Sequence, residues 1–471
     1  MVRRFLLGNI RRNLVGRDEA NGAGAEEGDA GPDVDFYRQL LAAASASADR
    51  LPVVPGRVVL VNAGLAAGGA ERQVANTLIG LRARGVDASF LGEYLNAGPN
   101  LNFHRPALDA GRVPVAGLDR RISFADCGFA SVASEVADLL AKAPQYLIEE
   151  ILNLAEEFLQ RCPEIVHAWQ DSTSIKVGIA AVIAGVPKIV LSSRNVNPTH
   201  FKYHQPYMRP AYIALSERSE VAFINNSEAG VASYCDWLGL PPSKYRVIRN
   251  GVDFRGVTQR NDGEKSAFRR KLGIPAASPV VGAIFRLWPE KRPRLWLDAA
   301  TIVARSRPDI HFVIVGDGPL KAEVEEQAGA CGLGGRLHLV GEQADIVTPL
   351  EVFDVFLLTS QFEGTPNVVL EAQWLGLPVV ATKAGGTPEA VDEGRTGKIV
   401  DPTPQALAGQ VLATLEDGRP RAERRSAGQA FVGTRFGFER MIDETLDLYG
   451  FSSRPGPEAS RADGPVAAQV N

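Results

Sequence analysis

Short runs of β-branched and aliphatic residues alternate with longer helical stretches through most of this chain, and that alternation admits few folds. Runs of strand character occur at Arg57–Val61, Ile165–Ala168, Lys188–Ser192 and Ala222–Asn225, followed by the strand-like VIRN at Val247–Asn250. A polar stretch, Arg255–Ser266, reads as a linker. A second series then begins, at Val280–Phe285, Ile310–Val315, Leu337–Val340, Val355–Leu358 and Pro378–Thr382. Strands separated by helices build parallel sheets. Two such series predict an α/β protein of two Rossmann-like domains, residues 51–254 and 255–435, facing across a cleft. In such sheets ligands sit beyond the C-terminal strand ends.

A chain of 471 residues suits two domains plus tails. Its net charge of −4 supplies no basic field for nucleic acid. The cysteines Cys127, Cys162, Cys235 and Cys331 form no CxxC pair, which disfavours a zinc or thioredoxin-like site and suits a reducing cytoplasm. No run of ~18 apolar residues would span a bilayer. The best stretch, Val177–Leu191, is broken by Gly185, Pro187 and Lys188. Residues 1–50 and 452–471 read as tails. The first of them opens with Arg3, Arg4, Arg11 and Arg12 among Phe5, Leu6, Leu7, Ile10 and Leu14. That segment lacks the apolar core of a signal peptide. It reads either as a solvated tail or as a surface helix making peripheral contact with anionic membrane.

Glycine-bearing loops follow several strands: Gly64–Val74, Val315–Leu320, Glu363–Val380 and the weaker Ala384–Ala390. Glycine lets backbone approach a ligand, and a helix start offers unpaired N–H groups to an anion. None is a Walker A loop or GxGxxG, which disfavours an NTPase or an NAD enzyme. In the third loop Thr365 is expected as N-cap, Pro366 as first helical residue and Gly376 as the residue closing the helix. Arg286 and Lys291 follow the Val280–Phe285 strand, and a guanidinium fork with an ammonium point charge suits a diphosphate. A solvated basic turn is the alternative, since Arg292 and Arg294 are adjacent. Glu363 and Glu371 flank the helix start and can accept hydrogen bonds from vicinal hydroxyls. Asp33-Val34-Asp35 spells DxD but lies in the tail, so no metal is assigned.

As a set, these motifs resemble the GT-B glycosyltransferases of family 4. EGTPNVVLE resembles that family's E-x7-E motif, and RLWPEK its arginine–lysine phosphate motif. VIRNGVD, VGDGP, GLPVVATKAGGTPEAV and GLAAGGAERQV fall in family order, covering roughly Arg57 to Pro402. The resemblance implies a GT-B fold with an N-terminal acceptor domain, a C-terminal nucleotide-sugar domain, and a helix at 436–451 crossing back to the first. It implies a retaining transferase that needs no cofactor and uses an NDP-sugar as co-substrate. Arg286 and Lys291 would hold the donor diphosphate and Glu363 the transferred sugar. Backbone N–H groups near Gly364, Thr365 and Asn367 would touch sugar or phosphate, and Glu371 would bind the ribose. Gly68 and Gly69 would let the first loop approach the diphosphate. His167 would contact the donor sugar, or else is a strand-end residue, with Trp169 at the other position where a histidine can occur. Phe285 and Thr365 depart from the usual residues.

On the acceptor side, Ser192–Leu215 is rich in aromatic, His and Arg residues, with Arg194 following a strand. Such a segment suits a glycan or polyprenyl-diphosphate-linked acceptor. With the resemblance, this implies a transferase of surface polysaccharide biosynthesis at the inner face of the cytoplasmic membrane. A structural loop and helix is the alternative. Two other readings of the chain are a nucleotide-sugar epimerase of the same fold and a non-catalytic nucleotide-sugar-binding protein.

Overall fold

A computed structural model describes residues 32–47, 53–118, 134–140, 142–143, 145–254, 257 and 259–451. The basic N-terminal segment and the tail 452–471 lie outside them.

Two parallel sheets form. The first contains β1 (Val54–Asn62), β2 (Asp87–Gly92), β3 (Val115–Gly117), β4 (Pro163–Trp169), β5 (Lys188–Ser193), β6 (Val221–Asn225) and β7 (Tyr245–Val247), in the order β3-β2-β1-β4-β5-β6-β7. The second contains β8 (Val280–Ile284), β9 (His311–Val315), β10 (Leu337–Gly341), β11 (Val355–Leu358), β12 (Val379–Thr382) and β13 (Gly397–Val400), in the order β10-β9-β8-β11-β12-β13. Helices cover both faces, so the central strands are apolar on both sides. Val58 and Leu60 of β1 enter one core with Val74 and Leu78 of the Gly69–Ala83 helix. Val59 and Val61 enter the opposite core with Ile175 and Val177. Strand order reverses between β1 and β4 and again between β8 and β11. These are the two topological switch points at which doubly wound sheets hold ligands.

The domain reading needs two corrections. The helix Val34–Ser47 falls in the segment assigned to a tail, yet Tyr37, Leu40 and Leu41 are buried in the first core. Arg38 grips Glu217, and Asp33 caps the helix through the Phe36 N–H at 2.8 Å. The DxD residues thus serve a helix start, Asp35 pairing with Arg38 at 2.7 Å. The stretch assigned to a linker contains the helix Asp262–Lys271, whose Asn261 and Glu264 form a capping box.

Two C-terminal helices tie the domains together. The helix Arg421–Phe436 lies on the Asn367–Trp374 helix so closely that a Cβ at Gly428 would sit 1.9 Å from the Gln373 carbonyl oxygen. The helix Phe438–Tyr449 returns to the first domain, with Met441, Ile442 and Tyr449 entering its core. Arg84 anchors it through Glu439 at 2.6 Å and Asp443 at 2.7 Å.

Because backbone, not a flexible side chain, meets the added methyl, Gly428→Ala must push these helices apart. Chemical denaturation should show a loss of about 1–3 kcal/mol; a loss under about 0.5 kcal/mol would show that the contact yields freely.

Candidate active site

The Asn367–Trp374 helix and the loop before it carry two buried carboxylates. Glu363 and Glu371 are each 8% exposed. Glu363 accepts from Lys291 Nζ at 2.5 Å and from Ser360 Oγ at 2.7 Å. Ser360 follows β11, and Lys291 lies in a short turn, Pro289–Lys291, beyond β8. The pair therefore sits on the switch point of the second sheet.

Glu371 is partnered differently. Its Oε1 lies 2.6 Å from Arg72 Nη1, supplied by the first domain's glycine-loop helix. Its Oε2 is buried without a hydrogen-bond partner. Burial pushes this carboxyl up, and the Arg72 guanidinium pulls it back down. A buried carboxylate oxygen left empty is costly, and a ligand hydroxyl would satisfy it.

Arg286 projects into solvent, its side chain 63% exposed, with Glu290 at 3.6 Å. Leu287 N–H donates to the Asp317 carbonyl at 2.9 Å, so the VGDGP loop fixes the backbone beside Arg286. Arg292 is the positioning residue that the sequence reading passed over. Its φ of 50° is left-handed. Its guanidinium donates to the carbonyls of Thr359 at 2.7 Å and Ser360 at 2.6 Å, and to Thr382 Oγ1 at 3.2 Å. It thereby clamps the ends of β11 and β12 and holds Ser360 under Glu363.

Asn250, from VIRNGVD, joins the two domains. Its Nδ2 donates to the Thr365 carbonyl at 3.0 Å and to Asn367 Oδ1 at 2.7 Å. Its Oδ1 accepts from Arg194 at 2.8 Å and from Asn226 at 3.3 Å. Thr365 was expected to cap the helix. Pro366 holds the N-cap position instead, and Thr365 Oγ1 donates to the Asn226 carbonyl at 2.8 Å. Asn367 Nδ2 donates to the Gly69 carbonyl at 3.2 Å. The side chains of Thr365 and Asn367 thus bind domain to domain. Gly364 packs so closely that a Cβ would lie 2.2 Å from the Arg194 carbonyl oxygen. The N–H groups of Asn367 and Val368 lie in the helix's first turn, where no intrahelical acceptor exists. Gly376, with φ of 71°, follows the helix as expected.

On the opposing switch point, Gly68 and Gly69 begin the Gly69–Ala83 helix. A Cβ on Gly69 would lie 3.1 Å from Asn367 Nδ2, so this glycine serves domain contact. A Cβ on Gly68 would meet the Glu71 carboxylate. An anion could use Gly68 only after that carboxylate turns away. Glu71 meanwhile accepts from Gln170 at 2.9 Å, linking the loops after β1 and β4. Gln170 is left-handed at φ of 68°.

His167 does not join this group. It is 0% exposed, beneath Trp169 with ring centroids 4.2 Å apart. Its Nδ1 lies 2.7 Å from the Tyr449 hydroxyl. Burial, with a smaller effect of Arg194, holds its pKa well below the usual range. Of the two readings of His167, this enclosure favours the strand-end one: the imidazole anchors the returning helix, with its Nε2 buried without a hydrogen-bond partner. Arg194 does reach the interface. It stacks on Trp169 at 4.9 Å and donates to Ser192 Oγ at 3.2 Å, while its Nε is buried without a partner. Burial presses its pKa down, and no carboxylate lies within ion-pair distance among the described residues.

The fold and these two facing switch points define a two-domain α/β enzyme of GT-B type. Residues 264–431 match the family described as Glycosyl transferases group 1, and residues 67–255 match Glycosyltransferase Family 4. The chain belongs to this family of glycosyltransferases. It is 29% identical over 407 residues to the Vi polysaccharide biosynthesis protein VipC/TviE of Salmonella typhi, covering 82% of this chain and 70% of that one. It is 32% identical over 293 residues to the UDP-Gal:alpha-D-GlcNAc-diphosphoundecaprenol alpha-1,3-galactosyltransferase of Escherichia coli, covering 61% of this chain and 75% of that one. Among solved structures, Anabaena HepE in complex with UDP-glucose superposes with a TM-score of 0.67 at 24% identity, over 84% of this chain and 99% of that one.

If His167 is an anchor, Tyr449→Phe should lower stability by about 1–3 kcal/mol in denaturant titration, by orphaning a buried nitrogen, while leaving the donor KM within twofold. A raised donor KM with unchanged stability would restore the sugar-contact role.

Proposed function

We propose that this glycosyltransferase is a retaining enzyme that moves a hexose or related sugar from an NDP-sugar to a glycan or lipid-linked acceptor in surface polysaccharide biosynthesis. The observation that carries the donor reading is the buried Glu371 Oε2, left without a hydrogen-bond partner while Oε1 pairs with Arg72. A ribose hydroxyl would supply the missing hydrogen bond.

The chemistry follows from the charges. Arg286 and Lys291 would bind the diphosphate and gain strength as it accumulates charge on leaving. Glu363, held by Lys291 and Ser360, would orient the sugar hydroxyls. The acceptor oxygen forms its bond to the anomeric carbon on the face from which the diphosphate departs. The acceptor proton passes to the leaving phosphate oxygen, and the nucleoside diphosphate is released. This route needs no protein nucleophile, so the chain's work is positioning and charge stabilisation. No cofactor enters this scheme; the NDP-sugar is a co-substrate.

Two relatives have names that bear on the acceptor and donor. The Escherichia coli relative is named for a diphosphoundecaprenol-linked acceptor, and the Anabaena structure holds UDP-glucose. Arg194, buried at the domain junction without a carboxylate, supports an anionic acceptor group. A cytoplasmic enzyme meeting a lipid-linked acceptor would work at the inner membrane face, where Arg3, Arg4, Arg11 and Arg12 could meet anionic lipid. No helix among the described residues is long and apolar enough to cross a membrane.

The test is a panel of UDP-, GDP- and ADP-sugars offered with lipid-linked and free glycan acceptors. One donor should support transfer, and Glu363→Gln should lower kcat/KM by about 100-fold or more. Full activity in that variant would remove Glu363 from the site. Donor binding by the wild type with no transfer to any acceptor would favour a binding protein.

A further inference from the structure

The first domain sends one exposed cation across the cleft. Residues Asn197 to Tyr207 form a protruding loop after β5. The loop is built firmly at its base. The Asn197 side chain accepts from the Thr199 N–H at 3.2 Å and donates to Ser233 Oγ at 2.9 Å. The Phe201 and His204 N–H groups close turns on Pro198 and Phe201, each at 2.9 Å. His200 then stacks on Phe362 of the second domain, with ring centroids 3.5 Å apart and planes 25° from parallel. Phe362 directly precedes Glu363, so the loop is fixed to the donor side of the cleft.

This placement delivers Lys202 to Trp288, its Nζ 4.7 Å from the ring centroid. Arg286 Cζ lies 5.6 Å from the centroid of the same ring. Two cations from two domains therefore share one indole, two residues from Arg286 and three from Lys291. Lys202 makes no ion pair among the described residues, whereas Lys291 pairs with Glu363 and Arg286 approaches Glu290. Like charges held near one ring repel, and an anion between them would offset that repulsion. The indole supports each cation but neutralises neither.

We propose that Lys202 is a third cation of the diphosphate site, supplied by the acceptor-side domain when the cleft is closed. This rests on the donor reading of Arg286 and Lys291. The lysine would contact the distal phosphate, the one bonded to the sugar, because it shares the Trp288 ring with Arg286 while Glu371 would take the ribose end. Domain closure and charge on the leaving group are then linked through one side chain. As a point charge on a flexible stem, Lys202 can follow the phosphate as it separates.

Isothermal titration with UDP, GDP and ADP, and with the matching monophosphates, tests this. Lys202 is exposed, so Lys202→Glu should fold as the wild type does. The wild type should bind one diphosphate best. Lys202→Glu should weaken that diphosphate about tenfold or more, leave the monophosphate within twofold, and flatten the salt dependence, while Lys202→Arg stays near wild type. Diphosphate affinity within twofold of wild type would overturn the proposal, including where acceptor KM alone rises. Equal weakening of mono- and diphosphate would overturn it too, as a general field effect. Absence of binding by the wild type to all three diphosphates would instead overturn the donor reading on which it rests.

Discussion

The ion pair between Arg72 and Glu371 is the contact around which the molecule is arranged. Glu371 is buried in the second domain, and the cation that answers it comes from the first. A buried ion pair seldom repays the desolvation of its members. Its use here makes one carboxylate dependent on the domains meeting. The surrounding contacts serve the same end. Asn250 bridges the domains through four hydrogen bonds, Thr365 reaches the Asn226 carbonyl, and Glu389 accepts from the first N–H groups of the Glu228–Leu238 helix at 3.0 and 2.8 Å. The returning helix, buried by Met441, Ile442 and Tyr449, keeps the second domain tethered beside the first.

Within the second domain the charge pattern is local and ordered. Lys291 answers Glu363, Arg292 clamps the strand ends that hold Ser360, and Arg286 remains open to solvent. The cations thus divide into one paired with the sugar-side carboxylate, one that holds backbone, and one exposed to solvent. That division explains why four nearby basic residues, Arg286, Lys291, Arg292 and Arg294, are not interchangeable. Arg294 pairs with Glu323 on the surface, remote from these tasks.

Much of this was legible in the sequence because strand and helix periods differ and because each glycine loop follows a strand. The two α/β series, and the placing of Arg286 with Lys291 at a C-terminal strand end, followed from that pattern. The strands β2, β3 and β13 were not read, since DASFLG has no β-branched residue and VAG and GKIV are very short edge strands. The Val34–Ser47 helix was missed because its alanine-rich sequence resembles the polar segment before it. The packing of His167 was not legible for a tertiary reason: its partner, Tyr449, lies 282 residues away on a returning helix. Thr365 had the right chemistry for a cap, but a neighbouring domain offered its hydroxyl a carbonyl. Arg72 did carry a signal. A cation in the first turn of a helix opposes the dipole and asks for an anion nearby.

The central claim is that a nucleoside diphosphate lies across the C-terminal strand ends of the second sheet. A crystal structure with the bound diphosphate tests it most directly. The account predicts phosphate oxygens between Arg286 and Lys291, and a ribose hydroxyl on Glu371 Oε2. Density for the nucleotide at the first sheet's strand ends, with Glu371 Oε2 still unpartnered, would contradict it.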